Sequence, residues 1–295
     1  MSIFVPDTET KLYGLLGKTL GHSISPVLHN QAFHDLKLNA LYLMLETGEQ
    51  DLGEYVQSLK NIGFLGWNVT IPHKETIIPY LSGLSSLARD AGAVNTVLNR
   101  RGRLTGYNTD VIGFQRQVEE TGFIVKDKQA VVLGAGGSAR AVIAALIQLD
   151  LAKITVVNRT LAHAEEVITI FQEKAPAVEF EFCELEEEKY AAYIKDADLI
   201  INTTPVGMYH AQAETKLVIN PEYFHDQQLV LDLIYNPLPT ELLKAAQAKG
   251  AQIGNGLPTL IYQAEASFKL WTKKMPDRSN WLKLGQKAVA EINQQ

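Results

Sequence analysis

One segment constrains this chain more than any other: Val131-Val132-Leu133-Gly134-Ala135-Gly136-Gly137-Ser138-Ala139. A short apolar run ends in a glycine-rich turn, and the apolar, helically spaced stretch Ser138–Leu149 follows at once. Gly134 admits the tight turn, Gly136 removes the Cβ that would block a pyrophosphate, and Ala139 lets the helix pack close on the strand. The bare N–H groups at the helix start then face the phosphates. A glycine triplet alone is an ordinary turn. With a strand before it and a helix behind it, Gly134, Ala135, Gly136, Gly137 and Ser138 become candidates for holding a dinucleotide.

The next strand bears on which dinucleotide. Lys153–Val157 reads as a strand and ends in Asn158-Arg159-Thr160, with no Asp or Glu for a ribose 2′-hydroxyl. A guanidinium between two short polar side chains suits a 2′-phosphate, so NADP is expected over NAD. Strands are also expected at Ala130–Leu133, Glu179–Glu184, Leu199–Asn202 and Leu229–Leu233, with helices at Ala162–Lys174 and Thr240–Lys249. Such a run predicts a Rossmann-like, doubly wound sheet. The preceding residues alternate in the same way, with strands at Leu12–Leu16, Ala40–Leu45 and Phe64–Val69 and helices at Pro26–Leu36 and Leu52–Ile62. Ala93–Asn99 and Arg103–Tyr107 form a hairpin around Arg101-Gly102, and the chain closes on helices at Pro258–Trp271 and Trp281–Ile292. The fold class expected is α/β throughout.

At about 150 residues per domain, a chain of 295 residues is expected to form two domains. Apolar residues at 46% and charged residues at 20% are those of a globular chain, against disordered and membrane-embedded classes. A net charge of -6 argues against nucleic acid and anionic membrane surfaces as partners, leaving a small molecule. Cys183 is the only cysteine, so no intrachain disulfide and no multi-cysteine metal site can form, and no metal is expected. The start, MSIFVPDTETK, lacks the basic and long apolar stretches of a leader, and the cytoplasm is the expected location.

A cofactor site requires a substrate site. The turn Gly21-His22-Ser23-Ile24-Ser25-Pro26 puts two hydroxyls just before a helix, a cradle for a carboxylate unless one serine merely caps that helix. Asn68-Val69-Thr70-Ile71-Pro72-His73-Lys74 ends a strand and presents Lys74 at a helix start. A lysine at the positive end of a helix dipole is not placed there for stability. Gly92-Ala93-Val94-Asn95-Thr96 and Gly106-Tyr107-Asn108-Thr109-Asp110 add two strand-end polar groups, of which Asp110 by itself reads as a cap.

Taken in order, these segments resemble the shikimate dehydrogenase family over nearly the whole chain. The resemblance rests on the Ser23/Ser25 turn and on the segments 68–74, 92–96, 106–110, 134–139 and 158–160. Asn202-Thr203-Thr204-Pro205-Val206-Gly207-Met208 and Asp232-Leu233-Ile234-Tyr235-Asn236-Pro237 complete it. It implies NADPH-dependent reduction of 3-dehydroshikimate to shikimate. It implies that Ser23, Ser25 and Thr70 hold the substrate carboxylate, and that Lys74, Asn95, Asp110 and Gln263 surround the ring hydroxyls and the reacting carbonyl. It implies Lys74 and Asp110 as the catalytic pair, with Tyr235 lining the cleft. Met208, Leu233 and Gly256 are implied at the nicotinamide end. The domains implied are 1–110 for substrate, 111–257 for NADP, and helices over 258–295 that return to the substrate domain; a homodimer is compatible. The residue chemistry agrees, because hydride delivery to a ketone builds negative charge on oxygen, which Lys74 can stabilise and protonate while Asp110 holds it.

The chain departs from the family at a few positions. His163 stands where a basic residue is usual and joins Arg159 as a candidate reader of the phosphate. Pro258 interrupts the usual segment before Gln263, Ser86 replaces a common acidic residue, and Lys273 replaces a common glycine. Two other readings remain. A quinate/shikimate dehydrogenase using NAD or either cofactor would be favoured by a threonine at position 25. A non-catalytic NADP-binding sensor would dispense with Lys74 or Asp110, and the chain has both.

Overall fold

The computed structural model describes residues 5–208 and 217–292, so the first four residues of the start read for a leader lie outside it. The chain divides into two units, Met1–Thr109 with Gln263–Gln295, and Asp110–Tyr262.

The first unit runs β1 (Lys11–Gly17), α1 (Ser25–Asp35), β2 (Ala40–Glu46), α2 (Leu52–Ile62), β3 (Gly66–Val69), α3 (His73–Thr76), β4 (Gly83–Leu84), α4 (Ser86–Ala91), β5 (Thr96–Arg100) and β6 (Arg103–Tyr107). Its sheet has the order β2-β1-β3-β5-β6-β4. β1 is parallel to both neighbours, and β5 is antiparallel to β3 and β6. The hairpin expected from Ala93 starts only at Thr96, because the N–H groups of Ala93 and Val94 go to the carbonyls of Ala88 and Lys74 rather than to a ladder. Likewise the strand expected from Phe64 starts at Gly66, since Phe64 N–H closes the end of α2 on Leu59 behind the left-handed Gly63.

The second unit runs α5 (Thr109–Thr121), β7 (Gln129–Leu133), α6 (Gly137–Gln148), β8 (Lys153–Asn158), α7 (Leu161–Gln172), β9 (Glu179–Glu184), α8 (Glu187–Asp196), β10 (Leu199–Asn202), β11 (Leu229–Asp232), α9 (Glu241–Ala248) and β12 (Gln252–Gly254). The strands are all parallel, in the order β12-β11-β10-β7-β8-β9. The inner strands β7, β10 and β11 are Val/Ile/Leu-rich and buried, as a sheet covered on both faces requires. The strand order reverses between β7 and β10, the place where such sheets take ligands. Cys183 on β9 is buried, and burial, helped by Glu181, pushes its thiol up to about 11.

Two helices complete the chain, α10 (Leu257–Thr272) and α11 (Arg278–Ile292). Trp271 of α10 enters the first unit where Gly66 leaves room. A Cβ at Gly66 would stand 2.2 Å from the indole nitrogen, whose N–H donates to Val97 O at 3.0 Å. Beside it the His29 ring stacks on Tyr42 at 4.3 Å and meets the edge of Trp281 at 5.3 Å, with neither ring nitrogen hydrogen-bonded.

That burial pushes the His29 imidazole down to about 3. The unfolded chain titrates it near its ordinary value of about 6.5. The fold therefore keeps this stabilisation in full above about pH 6.5 and loses it progressively towards pH 3, at about 1.4 kcal/mol per pH unit. Urea unfolding between pH 7.5 and 5 tests this: His29→Phe, which keeps the stacking, should lose less stability on acidification than wild type. Parallel curves for the two proteins would show that the ring's neutrality is not linked to folding.

Candidate functional site

In the first unit the polar side chains converge on Asn95. Its Oδ1 accepts the Thr109 N–H at 2.7 Å, and its Nδ2 donates to Thr109 Oγ1 at 2.9 Å and to Gln263 Oε1 at 3.3 Å. Ser267, one helical turn beyond Gln263, donates to the Gln263 carbonyl at 3.0 Å and lies 2.8 Å from Thr96 Oγ1 and 3.0 Å from Thr109 Oγ1. From β3, Asn68 donates to Ser267 Oγ and Thr96 Oγ1, both at 3.0 Å, and accepts the Tyr42 hydroxyl at 2.7 Å. All these side chains are buried. An unmet polar group there would cost about 1–3 kcal/mol, so the network fixes which end of each amide faces which partner. The Gln263 amide turns its oxygen to Asn95 and Thr109.

Lys74 is half-buried in α3, and its carbonyl accepts the Val94 N–H at 2.7 Å, next to Asn95 in the chain. The dipole argument made from the sequence fails here. α3 is a single turn of four residues, so Lys74, its second residue, lies in the last turn as much as in the first. What holds the turn is His73, whose buried ring meets Thr47 O at 3.0 Å. Thr70 is half-buried, donates its N–H to Leu16 O at 2.8 Å, and packs its methyl where Gly17 has no side chain.

The serines do not cap α1. The N-cap position is Ile24, with no side-chain cap, and Ser25 is the first helical residue. Ser23 Oγ instead takes the Ser25 N–H at 3.3 Å; Ser25 is buried and Ser23 half-buried. Asp110, half-buried in the first turn of α5, and Tyr235, half-buried after β11, belong to the second unit. Sequence reasoning gave no role to Asn68, Thr96, Thr109 or Ser267. The one readable signal was the spacing of Gln263 and Ser267, four apart on one face of α10.

In the second unit the glycine turn is built as a dinucleotide requires. Gly134 has φ +106, and a Cβ there would stand 2.7 Å from Thr203 Oγ1. Gly136 is the N-cap of α6, has extended backbone at φ -93, no side-chain cap, and open space where a Cβ would go. The N–H groups at the start of α6, around Gly137 and Ser138, are those a phosphate would meet. β8 ends in Asn158, which shapes the following turn by donating to Thr160 O at 2.9 Å. Arg159, Thr160 and His163 are exposed at the start of α7, whose N-cap Thr160 makes no side-chain cap. An uncapped helix start, an exposed guanidinium and no carboxylate at the strand end fit a 2′-phosphate.

Met208 is exposed and Leu233 half-buried. Gly256 is buried at the start of α10, and a Cβ there would strike Leu233 O at 2.0 Å. Its lack of a side chain is demanded by the backbone after β11. Among the described residues, no group of three or more His, Cys, Asp or Glu is placed to hold a metal ion. No helix there is long and apolar enough to cross a membrane.

A parallel doubly wound unit with this turn, in one chain with a unit of convergent hydroxyls, amides and a lysine, is built as a dinucleotide-dependent dehydrogenase. Residues 15–97 match the family model of the shikimate dehydrogenase substrate binding domain, and residues 117–235 that of shikimate / quinate 5-dehydrogenase. The NADP(+) shikimate dehydrogenase of Halothermothrix orenii is 44% identical over 272 residues, 92% of this chain and 94% of that protein. A crystal structure of a shikimate dehydrogenase in complex with NADP+ superposes with a TM-score of 0.86 at 38% identity, covering 97% of each chain. That of Listeria monocytogenes shikimate 5-dehydrogenase, in complex with shikimate and NAD, gives 0.87 at 31% identity, covering 96% of this chain and 99% of the other. The chain belongs to the shikimate dehydrogenase family, a family of oxidoreductases.

The two turn glycines should separate on substitution. Gly136→Ala meets nothing in the protein and has permitted backbone, so it should melt close to wild type yet bind NADPH at least about ten-fold more weakly, its methyl facing the pyrophosphate. Gly134→Ala forces a methyl into a left-handed residue against Thr203 and should lower stability by about 1–3 kcal/mol. Thermal melts paired with cofactor titration read both. A Gly136→Ala protein that binds NADPH normally would place the pyrophosphate elsewhere.

Proposed function

We propose that the chain catalyses the reversible NADPH-dependent reduction of 3-dehydroshikimate to shikimate, a step of aromatic amino acid biosynthesis. The observation that carries this reading is the retention of Lys74, Asp110 and the Ser23/Ser25 turn in a chain that aligns over nine-tenths of its length with NADP(+) shikimate dehydrogenases. We assign substrate binding to residues 1–110 with 258–295, and cofactor binding to 111–257. A cytoplasmic setting agrees with the single buried thiol, Cys183.

In this assignment the hydroxyls of Ser23, Ser25 and Thr70 donate to the substrate carboxylate. Asn95 and Gln263 orient the ring hydroxyls, with the Gln263 nitrogen as the donor end, and Tyr235 lines the cleft. NADPH, when bound, supplies the hydride to the carbonyl carbon. Lys74 stabilises the negative charge that builds on the carbonyl oxygen and delivers a proton to it, while Asp110 holds and orients the lysine. Gly134 to Ser138 cradle the pyrophosphate, Asn158, Arg159, Thr160 and His163 read the 2′-phosphate, and Met208, Leu233 and Gly256 border the nicotinamide.

The deciding assay is steady-state turnover of shikimate and of quinate, each with NADP and with NAD. Shikimate with NADP should give the highest kcat/KM; a preference for quinate or for NAD would overturn the proposal. Lys74→Ala should lower kcat by roughly 10²–10⁴-fold with a far smaller change in KM, and near-normal kcat would remove the lysine from the chemistry. Arg159→Ala should erase most of the preference for NADP over NAD, about ten-fold or more, as loss of a charge-assisted phosphate contact demands.

A further inference from the structure

Two loops leave the C-terminal ends of β10 and β11, one reaching Met208 and the other carrying Leu233 and Tyr235. Each begins on a fully buried polar side chain. Asn202, the last residue of β10, accepts the N–H and the hydroxyl of Thr204 on its Oδ1, at 3.0 Å and 2.7 Å. Its Nδ2 donates to Val206 O at 3.3 Å and to Asp232 Oδ1 at 3.0 Å. Asp232, the last residue of β11, also accepts the Ile234 N–H at 3.1 Å and, on Oδ2, the Thr240 hydroxyl at 2.7 Å. Thr240 caps α9, its Oγ1 accepting the Leu243 N–H at 3.4 Å. On the first loop Thr203 donates its hydroxyl to Leu133 O at 2.7 Å and lies against Gly134, so that loop is tied to the glycine turn as well.

The carboxylate of Asp232 is thus removed from water and met by neutral donors from three segments. For stability alone, a well-packed apolar side chain would serve as well or better. What the carboxylate adds is geometry, because every hydrogen bond it accepts fixes the root of a loop. We propose that Asp232 is a positioning residue for the nicotinamide end of the cofactor: with Asn202 and Thr240 it sets the two loops bearing Met208, Leu233 and Tyr235 at fixed distances from the glycine turn. This rests on the cofactor placement under Proposed function. Asp232 does not touch the cofactor; it acts through the loops.

Asp232→Asn keeps the shape but leaves one oxygen where two accepted. At least one of the three donors then loses its acceptor, while β7, α6 and the start of α7 are untouched. The test compares two ligands on the full chain by fluorescence titration: NADPH, and 2′,5′-ADP, which has the adenosine end and no nicotinamide. Asp232→Asn should weaken NADPH about ten-fold, the size of one hydrogen bond to a charged group, and leave 2′,5′-ADP unchanged. Thr240→Val should act in the same direction, and Thr240→Ser should restore binding; this pair carries the test if Asp232→Asn does not fold. Equal losses for both ligands, or no loss for either, overturns the proposal. Wild type that binds neither ligand would instead overturn the cofactor assignment itself, and the inference with it.

Discussion

The chain leaves the first unit after Thr109 and re-enters it at Gln263, and one buried amide holds both places. Asn95 grips Thr109 by its N–H and its hydroxyl, and reaches Gln263 with the remaining hydrogen. The entropic cost of closing so long an excursion grows only logarithmically with its length. A modest set of contacts offsets it: the Ser267 hydroxyl among Asn68, Thr96 and Thr109, and the rings of Phe268, Trp271 and Trp281 around His29. If that grip were lost, the candidate substrate residues on α10 would have no fixed relation to those on β3 and β5.

The second unit was the more legible in the sequence. Parallel strands buried on both faces are apolar over most of their length, as in β7, β10 and β11, and a backbone that meets a pyrophosphate must be glycine, so both features write themselves in residue type. The first unit is held by hydroxyls and amides whose meaning depends on what they face. Ser267 reads as a small polar residue on an apolar helix until Asn68, from a strand about 200 residues earlier in the chain, is seen to donate to it. Gly256 reads as a cofactor residue, and the Leu233 carbonyl also requires that it have no side chain, a contact that no local pattern encodes. The helix-dipole argument for Lys74 has no footing in a helix of a single turn.

An acidic chain that binds anions must do so locally. At physiological ionic strength fields fade over about 8 Å, so a net charge of -6 spread over the surface has little say at the point of contact. The groups proposed for that role are of three kinds: hydroxyls at Ser23, Ser25 and Thr70, backbone N–H groups at the starts of α6 and α7, and the cations Lys74 and Arg159. Each is short-ranged and directional, which makes recognition depend on how firmly the backbone beneath it is set. The buried networks around Asn95 and Asp232 share that logic: both give hydrogen-bonding capacity to backbone placement.

Cys183 has a use that its chemistry does not suggest. It lies on β9, the edge strand of the parallel sheet, and burial keeps its thiol protonated far above neutrality. A thiol reagent added near neutral pH therefore has almost nothing to attack while β9 is seated. Alkylation becomes a clock for the opening of that edge, read at a single native position without any engineered label. Because the chain has no other cysteine, the modified fraction by mass spectrometry reports on that edge alone, and any ligand that stiffens the sheet should slow the clock.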